Sequence, residues 1–494
     1  MSRKIHPGQH IHLVGIGGSG LSAIARVLLG QGYTVSGSDR STNELTDALA
    51  RDGATIYKGH DAANVQGADA LIITSAVKDD HVEVAAARAA GIPVYKRQDM
   101  MSDLMEGKRV IAVAGTKGKT TTTAMIVHIL RECGQDPSYI VGGIMGNTGT
   151  NAGVGQGECF VVEADEYDNM FLGLRPDIAV ITNIEWDHPD FFKTPDDMVE
   201  AFEKFTQRIP LYGSIGGTLV GCADDTNARR LLDEIAIRNT TRRIGIIGAV
   251  GYSANEAKCL TRTYYAVNTR SDENGNIRFD IETTFEKTRG YVDSVNLGLP
   301  GRHNVQNALA AIIVSNEATH SFRMKERTPT PVTQAAKALE SFKPTARRFE
   351  LRADLHRIAI IDDYAHNPMS IRAVLEAARQ RYPDRAVWAV WQPHTYSRVQ
   401  ALFKDFVTSF AQADHILVTD IYAAREAPMP GVTSAALVAA MSHPDVRHTP
   451  SFADAVAVLS AEVQAPAVVV IMSAGDAPAI GIDYLKDLQA RQDD

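Results

Sequence analysis

Residues 110–124 read VIAVAGTKGKTTTTA, and the fold turns on how this stretch is read. Val110–Ala114 is a short, branched apolar run of the kind that forms a buried strand. It breaks at Gly115, and from Lys119 the pattern becomes helical. A strand, a glycine loop and a helix N-terminus in that order form a phosphate cradle, because backbone N–H groups and the helix dipole converge on one point. Gly115-Thr116-Lys117-Gly118-Lys119-Thr120 is a tightened form of the general Gly-x4-Gly-Lys-[Ser/Thr] loop, with its first glycine three residues before Gly118. Lys119 is expected to neutralise terminal phosphates and the Thr120 hydroxyl to ligate Mg²⁺. Gly115, Thr116, Lys117, Gly118 and Thr121 complete the candidate ATP contacts. The side chain of Lys117 and the later threonines are read as solvated loop and helix surface. The competing reading is a polar helix start capped by threonine.

Working outward, the chain divides into three α/β segments. Residues 1–107 open with HIHLVGIGGSGLSAIARVLLGQGYTVSGSD, a strand, a Gly-x-Gly-x-x-Gly loop, a helix and a second strand ending at Asp39. Leu21, Ile24, Val27 and Leu28 fall at helical spacing. The loop and its acid fit a dinucleotide fingerprint, yet a nucleotide-sugar diphosphate fits the same backbone. Residues 108–323 carry the phosphate loop and further strands at CFVVEAD, DIAVITNI, TLVGCAD and RIGIIG. They then change to period-two alternation around an Asn-Gly turn, which predicts antiparallel pairing. A charged, proline-bearing connector, RMKERTPTP, leads into residues 324–494, where IAIID, AVWAVW, HILVTD and AVVVIMSAG alternate with helices.

The 494 residues exceed one core and suit three domains. With 45% hydrophobic and 22% charged residues and a net charge of −9, the chain does not advertise a nucleic-acid or membrane surface. No apolar run reaches spanning length. The opening MSRKIHPGQHIHLVGIGG runs into a glycine loop and does not read as a signal peptide. Cys133, Cys159, Cys222 and Cys259 are scattered, so neither disulfides nor a zinc knuckle is indicated. A cytoplasmic enzyme is expected.

FVVEADEYDNMFL puts Glu163 at a strand exit, followed by Asp165, Glu166 and Asp168; VITNIEWDHPDFF ends another strand with Asn183, Glu185, Asp187 and His188. Ligands of open α/β sheets lie at this edge. Carboxylates beside a triphosphate suit a hard divalent cation. Glu163 and His188 are the preferred metal candidates, and the remaining acids are expected to be solvated or to cap helices.

The motifs GIGGSGLSAIA, AGTKGKTTT, EADEYD, TNIEWDHPD, LPGRHNVQNALAA, RRFE, DDYAHNP, WQPHTYSR and DIYAARE stand here in the order seen in Mur ligases. The chain resembles that family over essentially its whole length, and PHTYSR and DIYAARE resemble its alanine-adding branch. The resemblance implies three domains: a Rossmann-like UDP-sugar domain, a central P-loop ATPase-like parallel sheet with an added antiparallel sheet, and a Rossmann-like amino-acid domain. It implies ATP and two Mg²⁺ ions, with Mn²⁺ as an alternative, and UDP-N-acetylmuramate and L-alanine as substrates. Lys119 and Thr120 would meet the phosphates and first metal, and Glu163 and His188 would serve the metals. His303, Asn304 and Asn307 would lie near adenine, with Arg348 and Asp363 reaching the nucleotide from the last domain. Tyr364, His366, His394 and Arg398 would frame the alanine. Gly15, Gly17, Gly18, Ser19, Gly20, Asp39 and Ser75 would hold the UDP-sugar. Lys119, His188, His366 and Arg348 are the expected catalytic residues, His366 or His188 serving as base, and the chain is expected to be a monomer or weak homodimer.

The sequence departs from the family where Lys117 replaces a usual histidine, Asn367 a second histidine, and Ser473 and Ala477 the usual Gly and Ile of the closing motif. Three other readings stay open: a tripeptide-recycling ligase, which shares EADEYD; an NAD-dependent oxidoreductase built on the first glycine loop; and a catalytically dead homologue, against which Lys119 and Glu163 both stand.

Overall fold

The computed structural model describes residues 4–74, 77–212, 215–241, 246–255, 259–273, 275–285, 288–320, 330–424 and 426–490. Three separate sheets organise them. The first is five-stranded and parallel, in the order Thr55–Lys58, Thr34–Asp39, His10–Val14, Ala70–Ile73, Val94–Lys96. The chain leaves His10–Val14 in one direction and later returns to its other side, so a crevice opens at that strand's carboxyl end. The helix Ser19–Gly30 starts there and buries Leu21, Ile24, Val27 and Leu28, the positions spaced for it.

The central sheet has eleven strands. Arg109–Ala114 lies in its parallel part between Cys159–Glu163 and Ile178–Ile181. Beyond Ile215–Cys222 and Ile246–Ser253 the sheet runs on into Arg262–Ser271, Ile277–Phe285 and Thr288–Leu297, which pair antiparallel to one another. The expected antiparallel addition is therefore an extension of the same sheet. Ile246–Ser253 pairs parallel with Arg262–Ser271, which makes the junction continuous. The helices Lys119–Glu132 and Arg302–His320 share one apolar cluster, including Met125, Ile129, Leu309 and Ile313. Each such side chain fully buried stabilises by roughly 1.5–3 kcal/mol. Thr122 and Thr123 are buried in that contact, contrary to the solvated surface expected of them. Thr122 Oγ1 donates to Asn307 Oδ1 at 3.1 Å and Thr123 Oγ1 to the Lys119 carbonyl at 2.7 Å.

The division expected at 323/324 lies outside the described residues. Downstream of it, the helix Val332–Ala338 and the turn Leu339–Ser341 place Ala335, Ala336, Leu339 and Phe342 in the central core, so this segment packs with the middle of the chain rather than with the last sheet. That sheet has six strands, ordered Glu350–Leu355, Ile358–Asp363, Ala467–Met472, Ala386–Trp391, His415–Val418, Val446–His448. It is parallel except for its edge, where Glu350–Leu355 runs antiparallel. Among the described residues no helix is long and apolar enough to cross a membrane.

Candidate functional site

The carboxyl ends of all three sheets face one cavity of about 840 Å³. Gly20 follows the first sheet's central strand, Thr116 lies two residues past one strand of the second and Glu163 ends another, and Asp363 and His394 lie at strand exits of the third; all line it. Lys119 and Arg398, placed by the sequence on different domains, line the same space.

The phosphate loop has the conformation its glycines permit. Gly118 sits at φ +79° as N-cap of Lys119–Glu132, where a Cβ would come within 2.5 Å of Asn307 Oδ1. The loop's first half is tied down: Thr116 N–H donates to the Asn183 carbonyl at 3.1 Å and Lys117 N–H to Asn183 Oδ1 at 2.9 Å. The helix's first-turn N–H groups, which have no intrahelical acceptors, are left to face an anion. Lys119 Nζ donates to the Gly115 carbonyl at 2.6 Å and to both Glu166 oxygens at 2.9 and 2.8 Å. Burial pulls the Lys119 ammonium down, but Glu166, Asp165 and Glu163 outweigh it and hold its pKa above the ordinary value. Burial pushes the Glu166 carboxyl up, against the pull of Lys119. Lys117 forms an ion pair with Glu185 instead of pointing into solvent.

Glu163 Oε1 accepts from Thr120 Oγ1 at 2.9 Å while Oε2 accepts from Gly142 N–H at 2.6 Å. His188, at φ +55°, brings Nε2 to 3.8 Å from Glu166 Oε1. A hydroxyl, two carboxylates and an imidazole beside the loop make a donor set that suits Mg²⁺ or Mn²⁺. The expectation that the other acids are solvated fails for two of them. Glu166 is only 1% exposed on Lys119, and Asp187 is buried on Arg398. Each has a cation to neutralise it, which a reading of local spacing does not reveal.

His303, Asn304 and Asn307, expected near adenine, line the cavity. Burial drives the His303 pKa down to about 4. Asn307 Nδ2 donates to Asn304 Oδ1 at 3.2 Å, so the pair is a buttress linking Arg302–His320 to the helix that follows the phosphate loop. Arg348 Nη2 lies 3.3 Å from Thr120 Oγ1, and its guanidinium lies over the Tyr364 ring at 5.0 Å. Asp363 accepts from Phe349 N–H at 2.7 Å and Ala365 N–H at 2.8 Å; burial raises it to about 6, with Arg348 opposing. His366 Nδ1–H donates to the Tyr364 carbonyl at 2.8 Å, leaving Nε2 with its lone pair. Burial, then Arg398, holds His366 well below the ordinary histidine value, and the same two causes bring His394 to about 4.

The first glycine loop sits at the cavity's outer end. Ser19 and Gly20 line the cavity, and Gly15, Gly17, Gly18 and Asp39 are not among its lining residues. Asp39 Oδ2 accepts from Gly17 N–H at 2.9 Å, so the acid of the fingerprint holds the loop itself. Ser75 lies outside the described residues. Arg97, unremarked in the sequence, packs against Gly20 and reaches Asp165 Oδ2 at 3.3 Å, placing a cation between the first loop and the central site. At the same sheet edge, buried Glu83 gathers Ser38, His60 and Asn64 at 2.7, 3.1 and 2.7 Å. His60, His81 and Glu83 are close enough to share an ion, but Glu83's oxygens are already satisfied by these neighbours.

Residues 10–109 match the model of the Mur ligase family, catalytic domain; residues 113–315 that of the Mur ligase middle domain; and residues 347–475 that of the Mur ligase, glutamate ligase domain. The chain is 41% identical over 483 residues to the UDP-N-acetylmuramate–L-alanine ligase of Roseiflexus sp. (strain RS-1), covering 97% of this chain and 99% of that one. Among solved structures it is similar to the UDP-N-acetylmuramate-alanine ligase of Thermotoga maritima, with TM-score 0.77 and 26% identity over 98% of this chain and 99% of the other. A murein peptide ligase from Psychrobacter arcticus 273-4 gives 0.69 and 25% over 97% and 99%.

Proposed function

The chain belongs to the Mur ligase family, and on that premise we propose that it joins L-alanine to the lactyl carboxylate of UDP-N-acetylmuramate as ATP becomes ADP and phosphate. The observation that carries the reading is the single cavity shared by Lys119, Arg348 and Arg398. A phosphate-transfer cation and a carboxylate-binding cation in one enclosed space are what a ligase needs and a hydrolase does not.

A carboxylate does not condense with an amine, because oxide is too poor a leaving group. Transfer of the γ-phosphoryl group to a lactyl oxygen gives an acyl phosphate and ADP; the amine then attacks the acyl carbon, and phosphate leaves with the C–O electron pair. The first step drives a carboxylate against a polyanion. Lys119 and Arg348 offset that repulsion and the helix N–H groups fix the phosphates in line. Mg²⁺ held by Thr120, Glu163 and His188 would supply further charge neutralisation at the phosphates. Arg97 is the residue we assign to the sugar diphosphate beside the first glycine loop. Enclosure of the cavity by three sheets keeps water from the acyl phosphate. The reading includes two Mg²⁺ ions, a monomer or weak homodimer and a cytoplasmic location.

Since His188 is committed to metal, His366 Nε2 is the better base for the alanine amine. Its pKa lies well below 6.5, so it is already neutral throughout the working range. We expect kcat/KM for L-alanine to rise with pH on a single limb set by the amine, near pH 8 for an α-amino group. A second inflection near 6.5 that disappears in His366→Gln would show the imidazole titrating and overturn this assignment.

The function itself is tested by phosphate release with ATP, Mg²⁺ and UDP-N-acetylmuramate. L-alanine is expected to support turnover, and the stem tripeptide is not. Turnover with the tripeptide alone would move the chain to the recycling branch.

A further inference from the structure

Arg398 is already holding a carboxylate. Its Nε donates to Asp187 Oδ1 at 3.2 Å and Nη2 stands in ion-pair contact with the same oxygen at 3.2 Å, while Nη1 donates to His394 Nδ1 at 3.0 Å and to the His394 carbonyl at 3.2 Å. A guanidinium has five N–H groups, and this one makes three hydrogen bonds, one from Nε and two from Nη1. The Nε/Nη2 edge, the one shaped for bidentate recognition, is taken. Asp187 comes from the central sheet and Arg398 from the last one, so this is an ion pair across domains, with each side chain 6% exposed.

The pairing is nevertheless a poor use of the fork. One oxygen faces both Nε and Nη2 at 3.2 Å and takes a hydrogen bond only from Nε, whereas a bidentate carboxylate offers an oxygen to each at about 2.7–2.9 Å. The Asp187 carboxylate is also held elsewhere. Oδ1 accepts its neighbour His188 N–H at 2.7 Å, and Oδ2 accepts Asn367 Nδ2 at 3.3 Å. It keeps those partners if it lets Arg398 go.

We propose that Asp187 is an internal stand-in for the α-carboxylate of the incoming amino acid. It neutralises buried Arg398 while the amino-acid site is empty and yields the Nε/Nη2 edge to a ligand that brings its own carboxylate. Leaving Arg398 buried with no counter-charge would be strongly destabilising, which is why a stand-in is needed. An amine without a carboxylate cannot make the exchange, so the device selects amino acids as a class. This rests on the reading that Arg398 receives the amino acid.

The test is Asp187→Asn, which keeps the shape and the acceptor for His188 N–H. Removing an internal competitor raises the competent fraction of Arg398, so KM for L-alanine should fall about three- to tenfold. The inhibition constant of propionate, a carboxylate without an amine, should fall by the same factor, with KM for ATP and for UDP-N-acetylmuramate unchanged. The variant should melt lower than wild type and be raised more by L-alanine. Asn367→Ser retains a helix-capping side chain but loses the amide that steadies Asp187; it should shift both constants in the same direction by less, and carries the test if Asp187→Asn does not fold. A KM and inhibition constant that rise or stay unchanged would make Asp187 a mere support for Arg398 and overturn the proposal. If wild type turns over no L-alanine, the functional reading fails, yet propionate-induced melting shifts of wild type and variant still report whether Asp187 competes for Arg398.

Discussion

Lys119→Ala should lower kcat for phosphate release at least about a thousandfold, the scale on which a single cation acts in phosphoryl transfer. The ammonium is oriented before any nucleotide arrives, by the Gly115 carbonyl at 2.6 Å and by two Glu166 oxygens. Alanine at this position leaves the loop backbone and the helix N–H groups intact, so ADP should still bind, only more weakly. Removing one member of a buried ion pair ordinarily destabilises by about 3–5 kcal/mol. Here the penalty should be smaller, because Glu166 can escape it by protonating: burial already brings its carboxyl to about 7 with the lysine present. The variant should therefore fold, with a circular dichroism spectrum and UDP-sugar binding like those of wild type. Activity within tenfold of wild type in that folded protein would sink the role given to Lys119.

The two cations of the proposed chemistry share a design. Lys119 rests on Glu166 and Arg398 on Asp187, each pair buried and each carboxylate contributed by a loop at the end of a central-sheet strand. Burial without a partner would expel such charges or neutralise them. With a carboxylate alongside, each stays charged in a cavity that must later receive an anion. The cost is that substrate has to compete with an internal anion, and that competition admits phosphates and carboxylates over neutral molecules.

This arrangement marks the limit of what the sequence discloses. Lys119, Thr120 and Glu163 are legible because each stands at the end of an apolar run, where a sheet presents its ligand edge. Glu166 and Asp187 look like solvated acids because their partners lie 47 and 211 residues away. Asp39 has a local task its spacing does not disclose: its Oδ2 accepts from Gly17 N–H and steadies the glycine loop. Val332–Ser341 follows a charged connector and so reads as the start of a new domain, whereas its alanines fit against the central helices. The edge strand Glu350–Leu355 passes unnoticed because every residue of ELRADL is at least partly exposed, which leaves it without the continuous apolar run that marks a central strand.

Arg348→Ala should lower kcat about a hundred- to a thousandfold while raising KM for ATP by less than about tenfold. The reason lies in where Arg348 is anchored. Ala346 N–H donates to the Ile144 carbonyl at 2.8 Å and Thr345 bridges Met145, so the segment leading to Arg348 is fastened to the central domain. The residues after it join the last sheet through Phe349 N–H on Asp363. Arg348 thus stands at the seam, with Nη2 3.3 Å from the Thr120 hydroxyl and its plane against Tyr364. A group placed there meets the phosphates only when the seam is closed, so its contribution should grow towards the transition state and appear in kcat. Arg348→Lys keeps the charge but loses the planar fork and the stacking surface, and should recover only part of the rate. Single-turnover phosphate release with saturating ATP and UDP-N-acetylmuramate separates chemistry from product release and reads the effect directly. If Arg348→Ala instead raised KM for ATP and left the single-turnover rate intact, Arg348 would be a ground-state contact, and closure of the seam would have no part in catalysis.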